Sequence, residues 1–416
     1  MINRADNTRR RHARERLFIR LSFGCVCAAL LFLVALLGDV AWQGWRSLIS
    51  VSVRLEVFFD PQKVGADGQA SALKYQSLYV AALDAHFDES LSRREKKELK
   101  RLASYGGGVQ LRDLVRAEPS LVGQRTKIWL PLSAHAESYI KNPELAKLPA
   151  EQRVVSDRQI AWLDSLSRSG DIQRSFNTRF FTAADSRDAE LAGIGSALRG
   201  SFLTLLLTFL LSFPTAVLAA LYLEMFAPRN RWFDFIEINI NNLAAVPSVI
   251  FGLLGLTVFI SFFGMPRSSS LVGGMTLSLM TLPTVIIAAR AAIRAVPPSL
   301  LAGAMSLGAT RMQGVFHHVV PAAMPGILTG TIIGMAQALG ETAPLLMIGM
   351  LAFITEAPTG FTDAATALPT QIFLWANNPE RAFAEHAAAA IVCLLLFLIL
   401  MNATATVIRR RMEIKW

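Results

Sequence analysis

The sequence predicts an all-α polytopic membrane protein with six transmembrane helices and a small α+β domain inserted after the first. Three observations carry this. The 416 residues are 53% hydrophobic, with a mean hydropathy of +0.41. Apolar runs recur that are about twenty residues long, enough to cross a hydrocarbon core of ~30 Å. Between the first run and the second lies a stretch, 46–195, in which Lys, Arg, Asp and Glu are frequent and no run reaches spanning length.

The net charge is +10. On a soluble chain such a balance points to nucleic acid. Here the excess flanks the apolar runs, as expected where Lys and Arg stay on the cytoplasmic side. That argues against a nucleic-acid partner and implies membrane lipids as the surroundings. The three cysteines, Cys25, Cys27 and Cys393, all fall in apolar runs. This pattern speaks for neither a disulfide framework nor a metal site.

The elements follow in order. Residues 1–45 combine a basic N-terminus (Arg4, Arg9, Arg10, Arg11, Arg14, Arg16, Arg20) with an apolar run, Leu21 to about Trp42. No small-residue cleavage site closes it, so it reads as an uncleaved anchor with a cytoplasmic N-terminus. In 46–195, Val51, Val53, Leu55, Val57 and Phe59 alternate with mostly polar neighbours and predict a half-buried strand. Residues Ala72–Phe87, Ser92–Ser104 and Ser156–Ser167 predict helices, with Ser156 as an N-cap. Gly106-Gly107-Gly108 reads as a break, and Lys127–Leu130 as a short strand.

Residues 196–416 hold five further spans, near Leu198–Leu223, Val246–Phe263, Leu271–Ala289, Gly326–Phe353 and Ala387–Val407. Six spans return the C-terminus to the cytoplasmic side, in agreement with Arg409, Arg410, Arg411 and Lys415. The 46–195 domain then lies outside, in a periplasm. Arg231–Asn242 inside and Asp363–Trp375 outside predict interfacial helices.

The segment 298–321 carries the clearest functional pattern. Pro297-Pro298 starts a new helix. That helix ends at Gly308, which suits a left-handed position. A second helix, Arg311–His318, runs to Pro321. A helix, a glycine turn and another helix on the cytoplasmic face can fit a cleft in a partner; a plain surface loop is the competing reading. Ala302-Gly303-Ala304, Gly308 and Pro321 form an Ala-Gly-Ala-x3-Gly-x9-His-x-Val-Pro frame. It resembles the coupling motif of ATP-binding-cassette importer permeases, usually Glu-Ala-Ala-x3-Gly-x9-Ile-x-Leu-Pro. The segment Gly340-Glu341-Thr342-Ala343-Pro344 resembles a signature of the PstA-type phosphate permease family. Val246-Pro247-Ser248-x2-Phe251-Gly252-Leu253-Leu254-Gly255 is also similar to that family.

The resemblance implies a type I importer permease fold in a phosphate importer. It also implies a heterodimer with a second permease subunit, two ATP-binding subunits below, and a periplasmic phosphate-binding protein above. In that frame the chain is a transport subunit rather than an enzyme, and it takes no cofactor. The motif glutamate is missing at Ala302, so coupling contacts would rest on shape and on Met305, Leu307, Arg311 and Phe316. The same machine for sulfate or molybdate, or a membrane sensor, are the alternatives.

Four residues are candidates for the substrate pathway: Glu341, Thr342, Arg290 and Ser248. An ionisable residue inside a span is costly and points to function. Glu341 has two readings. As a carboxylate it accepts a hydrogen bond from the proton that phosphate carries and sulfate lacks, or it forms an ion pair with an arginine of this or a partner chain. Pro344 frees the carbonyl of Gly340, so the helix bends or unwinds beside the acid. Arg290 marks the inner end of its span, as an anion-release residue or as an interface anchor. Ser248 opens a proline-started helix whose N-terminus could face phosphate; tight helix packing is the plainer reading. Gly326, Gly330 and Gly334 recur every four residues and predict close helix packing. Adjacent His317 and His318 do not face one another on a helix, so no metal site is read there.

Overall fold

The computed structural model describes residues 4–64, 70–87, 91–149, 153–351 and 353–412. Lys415 lies outside the described residues. A 44-residue helix, α1 (Arg4–Ser47), leads into β1 (Ile49–Phe58). The order continues with α2 (Pro61–Val64), α3 (Ala72–His86), α4 (Arg93–Lys100), α5 (Tyr105–Ala117), β2 (Arg125–Pro131), α6 (Ala134–Lys141), α7 (Asp157–Arg168), β3 (Ile172–Phe176) and α8 (Thr178–Thr182).

The three strands form one antiparallel sheet in the order β2-β1-β3. Val53 of the central strand lies opposite Leu130 on one side and Ile172 on the other. Val51, Val53, Leu55 and Val57 are buried, as their alternation predicts, and pack with Tyr75, Tyr79, Leu83, Leu111 and Leu163 of the covering helices. Ser156 caps α7, its side chain accepting from the N–H of Gln159.

Two sequence expectations in this region are corrected. The predicted helix Ser92–Ser104 stops at Lys100, and a bridge between Ala103 and Leu132 ties the next residues to the end of β2. Gly106, Gly107 and Gly108 are not a break but the first turn of α5. A Cβ on Gly107 would stand 2.5 Å from Tyr79 Cδ1, and one on Gly108 2.8 Å from the carbonyl of Ala72. These glycines serve the close approach of α5 to α3.

The remaining helices are α9 (Gly195–Leu221), α10 (Arg231–Ala244), α11 (Ser248–Leu254), α12 (Ser270–Arg294), α13 (Pro298–Ser306), α14 (Arg311–Gly314), α15 (Val320–Gly340), α16 (Ala343–Met347), α17 (Leu368–Ala376) and α18 (Arg381–Met412). π-helical turns extend α9 over Tyr222–Phe226 and α11 over Gly255–Phe262. A third, Val315–Val319, joins α14 to α15. Among the described residues five helices are long and apolar enough to cross a membrane, or six if the pair α10–α11, bent by 103°, is one broken span. The enclosed helix is α12, which packs between α9 and α15, while α18 lies against α1, α15 and α17.

Three further expectations change. Pro321 does not end a helix; Arg311–Gly340 runs as one unit, because the π-helical turn before Pro321 has already interrupted the i→i−4 ladder. The expected span Gly326–Phe353 ends at Gly340 instead of continuing to Phe353. Asp363–Trp375 is not an amphipathic surface helix. Its helical part is α17, where Leu368, Pro369, Thr370, Gln371 and Trp375 are buried against the bundle.

Candidate functional site

The chain unwinds at Glu341. Its backbone is extended (φ −78°, ψ 120°), and α16 resumes two residues later. Pro344 has no N–H to return to the carbonyl of Gly340, so the ladder fails there. The short α16 then turns onto α11: a Cβ on Gly252 would lie 2.7 Å from Pro344 Cα. Ser248, one turn before Gly252, and Glu341 with Thr342, just before Pro344, flank this contact. All three are half-buried. No hydrogen bond or ion pair holds the Glu341 carboxylate among the described residues, so the ion pair expected as one of its two readings is not made within this chain.

Arg290 lies elsewhere, near the other end of α12. Its Nε donates to Glu224 Oε1 at 2.6 Å and its Nη2 to Glu237 Oε1 at 2.9 Å. Arg294 Nε donates to Glu224 Oε2 at 2.8 Å. The side chains of Arg290 and Glu224 are only 6% and 4% exposed. The ring of Phe233 lies 5.7 Å from the Arg290 guanidinium carbon. Buried charges persist where they are paired and hydrogen-bonded. The geometry therefore favours an internal tie over a free anion-release residue, and it does not bring Arg290 to Glu341. Glu224 and Glu237 were not singled out from the sequence. An acid at the end of a basic-flanked span was the available signal, but 66 residues separate Glu224 from its partner.

The segment between α12 and α15 forms a tip. α13 ends at Leu307, and Gly308 takes φ +90°. Thr310 and Gln313 cap α14 reciprocally. Leu307 is 92% exposed, and Met305, Met312 and Phe316 are also exposed. Ala302 and Gly303 lie on the open side, whereas Ala304 is buried and Pro321 half-buried. The exposed Arg311 places its guanidinium 5.8 Å from the ring of Phe226, within the π-helical turn that also carries Glu224. Tip and ion-pair cluster are thus physically joined. His317 and His318 are exposed on the same segment.

The glycine stripe of α15 faces α12. A Cβ would meet Ala292 Cβ at 2.6 Å from Gly326, Ala288 Cβ at 2.1 Å from Gly330, and Val285 Cγ2 at 3.2 Å from Gly334. Small residues let the two backbones approach in the way lipid-embedded helices do.

Comparison with known proteins places these features. Residues 191–414 match the family described as "Binding-protein-dependent transport system inner membrane component". Residues 5–150 match a domain of unknown function, DUF3333. The α+β unit continues past that match, since β3 pairs with β1. The chain is 31% identical over 219 residues to the probable ABC transporter permease protein YqgI of Bacillus subtilis, covering 52% of this chain and 72% of the relative. It is 30% identical over 217 residues to the phosphate transport system permease protein PstA of Yersinia pestis, covering 52% and 72%. A structure of the MetNI methionine ABC transporter in an inward-facing conformation is 18% identical, covering 53% of this chain and 97% of that one, with a TM-score of 0.41.

The expected fold class, a type I importer permease core with a small α+β insert, is the one found, and the family match carries it. The chain is a multi-pass inner-membrane transport component and not an enzyme. On the match over residues 191–414, this chain belongs to the family of binding-protein-dependent transport system inner membrane components.

Proposed function

We propose that this chain is the transmembrane permease subunit of an ATP-driven phosphate importer. It pairs with a second permease subunit above two ATP-binding subunits, engages them through the Gly308 tip, and takes phosphate from a periplasmic binding protein. Both termini lie in the cytoplasm and the α+β domain lies outside. Relatives named as phosphate permeases support the substrate. The observation that carries the mechanism is the tip itself: an exposed apolar knob of Met305, Leu307, Met312 and Phe316 around a left-handed glycine. Such a knob suits a groove in a partner.

The tip continues through the π-helical turn into α15, which ends at Gly340, just before Glu341. Displacement of the tip is therefore carried along one helix to the break that Glu341, Thr342 and Ser248 flank. ATP state biases a two-state bundle through that lever. Within the pathway Glu341 accepts a hydrogen bond from the proton that phosphate retains near neutral pH, and a partner-chain cation offsets its charge. Arg290 holds α12 to α9 and α10 at the lever's base.

The test measures uptake of labelled phosphate, sulfate and molybdate in cells with and without the gene, and in cells carrying Leu307→Asp. Loss of phosphate uptake alone, with Leu307→Asp no longer co-purifying an ATP-binding subunit, is expected. Loss of sulfate or molybdate uptake instead would move the substrate. Unchanged uptake of all three would sink the transport reading.

A further inference from the structure

The short helix α8 is fixed where two spanning helices begin and end. On one side Asn177 donates its backbone N–H to Leu48 O at 2.8 Å and its side-chain amide to Ser47 O at 3.1 Å, directly at the end of α1. On the other, Ile194 N–H donates to Phe180 O at 2.7 Å and Gly195 N–H to Ala183 O at 2.8 Å, at the start of α9. Phe180 turns inward, fully buried, with ring centroids 5.5 Å from His386 and 6.3 Å from Trp375.

Phe181 turns outward. It stacks on Phe176, with centroids 5.9 Å apart and planes 13° from parallel. Both are exposed, Phe176 to 58%. Phe176 is paired with Ile49, two residues beyond the end of α1. Trp42 and Trp45, in the last turns of α1, are exposed as well. Trp and Tyr gather at the level where spanning helices leave the hydrocarbon, and Phe is among the residues that bury into the headgroup boundary from amphipathic surfaces. A contiguous exposed aromatic patch on a folded domain marks a contact surface. Strand pairing sets Phe176 beside Ile49, two residues past the end of α1, an exposed apolar helix long enough to span a membrane, and this position names phospholipid as the occupant.

We infer that Phe176 and Phe181 dip into the phospholipid interface on the side where α1 ends and α9 begins. The α+β domain is thereby a membrane-lying domain, anchored through lipid as well as through its two chain connections. The opposite end of the sheet stands in water. Lys127 pairs with Glu56, which is seven residues along β1 from Ile49, or ~23 Å at the rise of a strand.

Spin labels test this on the full chain, purified with the subunits that accompany it and reconstituted in phosphatidylethanolamine–phosphatidylglycerol vesicles. Cys25, Cys27 and Cys393 are first replaced by alanine. Single labels are then placed through Phe176→Cys, Phe181→Cys, Phe202→Cys as the lipid reference, and Lys127→Cys as the water reference. Accessibility to oxygen and to a water-soluble nickel chelate is compared. The inference expects the oxygen-to-nickel ratio at 176 and 181 to shift from the Lys127 value toward the Phe202 value. A ratio equal to that at Lys127 overturns it. Low accessibility to both reagents also overturns it, because a protein partner would then cover the patch.

Discussion

Arg290 closes on Glu224 with a 2.6 Å hydrogen bond between two side chains that are almost wholly out of solvent. The bond ties α12 to the π-helical end of α9, and Phe226 in that same turn lies against Arg311 of the tip. Removing one partner of a buried pair leaves an uncompensated charge, at a cost of about 3–5 kcal/mol. Glu224→Gln is expected to lower the thermal unfolding midpoint markedly and to weaken transport. Arg294→Gln, at a side chain 52% exposed, is expected to cost no more than about 1 kcal/mol. Melting curves of the two variants side by side check this; equal losses would contradict it.

The contact of Gly330 with Ala288 leaves no room for a side chain, the added Cβ falling 2.1 Å from Ala288 Cβ. Gly330→Val is expected to destabilise by about 1–3 kcal/mol or more, as overpacking does. Ala288→Gly in the same chain should restore part of that loss. Gly303→Ala, with nothing within 4 Å, should fold as the parent does. Membrane yield and unfolding midpoint of the four chains decide the matter.

Glu341 stands at a helix break without a partner among the described residues. If its carboxylate accepts a hydrogen bond from the proton that phosphate carries, Glu341→Gln should slow phosphate uptake by more than tenfold. That corresponds to about 1.4 kcal/mol or more. Discrimination against sulfate should weaken in parallel. Uptake kinetics for phosphate, arsenate and sulfate measure both effects. Unchanged rate and selectivity would remove Glu341 from the pathway.

Glu190 lies in the connector between α8 and α9, and its Oε2 accepts the N–H of Ala134 at the start of α6. Burial pushes its carboxyl up from 4.5 to about 7, against the hydrogen bond from Ser104, with Asp188 and Glu137 adding repulsion. In the unfolded chain the group ionises near 4.5, so between 4.5 and about 7 the folded chain holds the extra proton. Stability therefore falls as pH rises through that window and levels off above it. The change is on the order of 3 kcal/mol. Glu190→Gln should flatten this slope. Unfolding midpoints of the full chain at pH 5 and pH 8 test it, and an unaltered slope in the variant would assign the dependence to other groups.

Much of the architecture was legible before the structure. Spanning runs, the half-buried β1, the Ser156 cap, the turn at Gly308 and the glycine stripe are local patterns, set by periodicity and by single-residue backbone preferences. The misreadings share one cause. Gly106–Gly108 and Pro321 have strong local signatures, yet a close approach of α3 overrode the first and a π-helical turn absorbed the second. The short β3 carries little alternation and exists because β1 supplies its partner edge.

Residue order alone settled that this chain holds several helices long and apolar enough to cross a membrane, and that the segment after α12 bends at Gly308. Those outcomes follow from apolar length and from backbone sterics, which act over a few residues. Only the tertiary structure decided that Arg290 bonds to Glu224 and Glu237, that α16 folds onto α11 beside Glu341, and that Phe181 faces outward while Phe180 is buried. Each of these depends on which surfaces meet across tens of residues, and pairing energies between distant groups leave no period in the chain that would announce them.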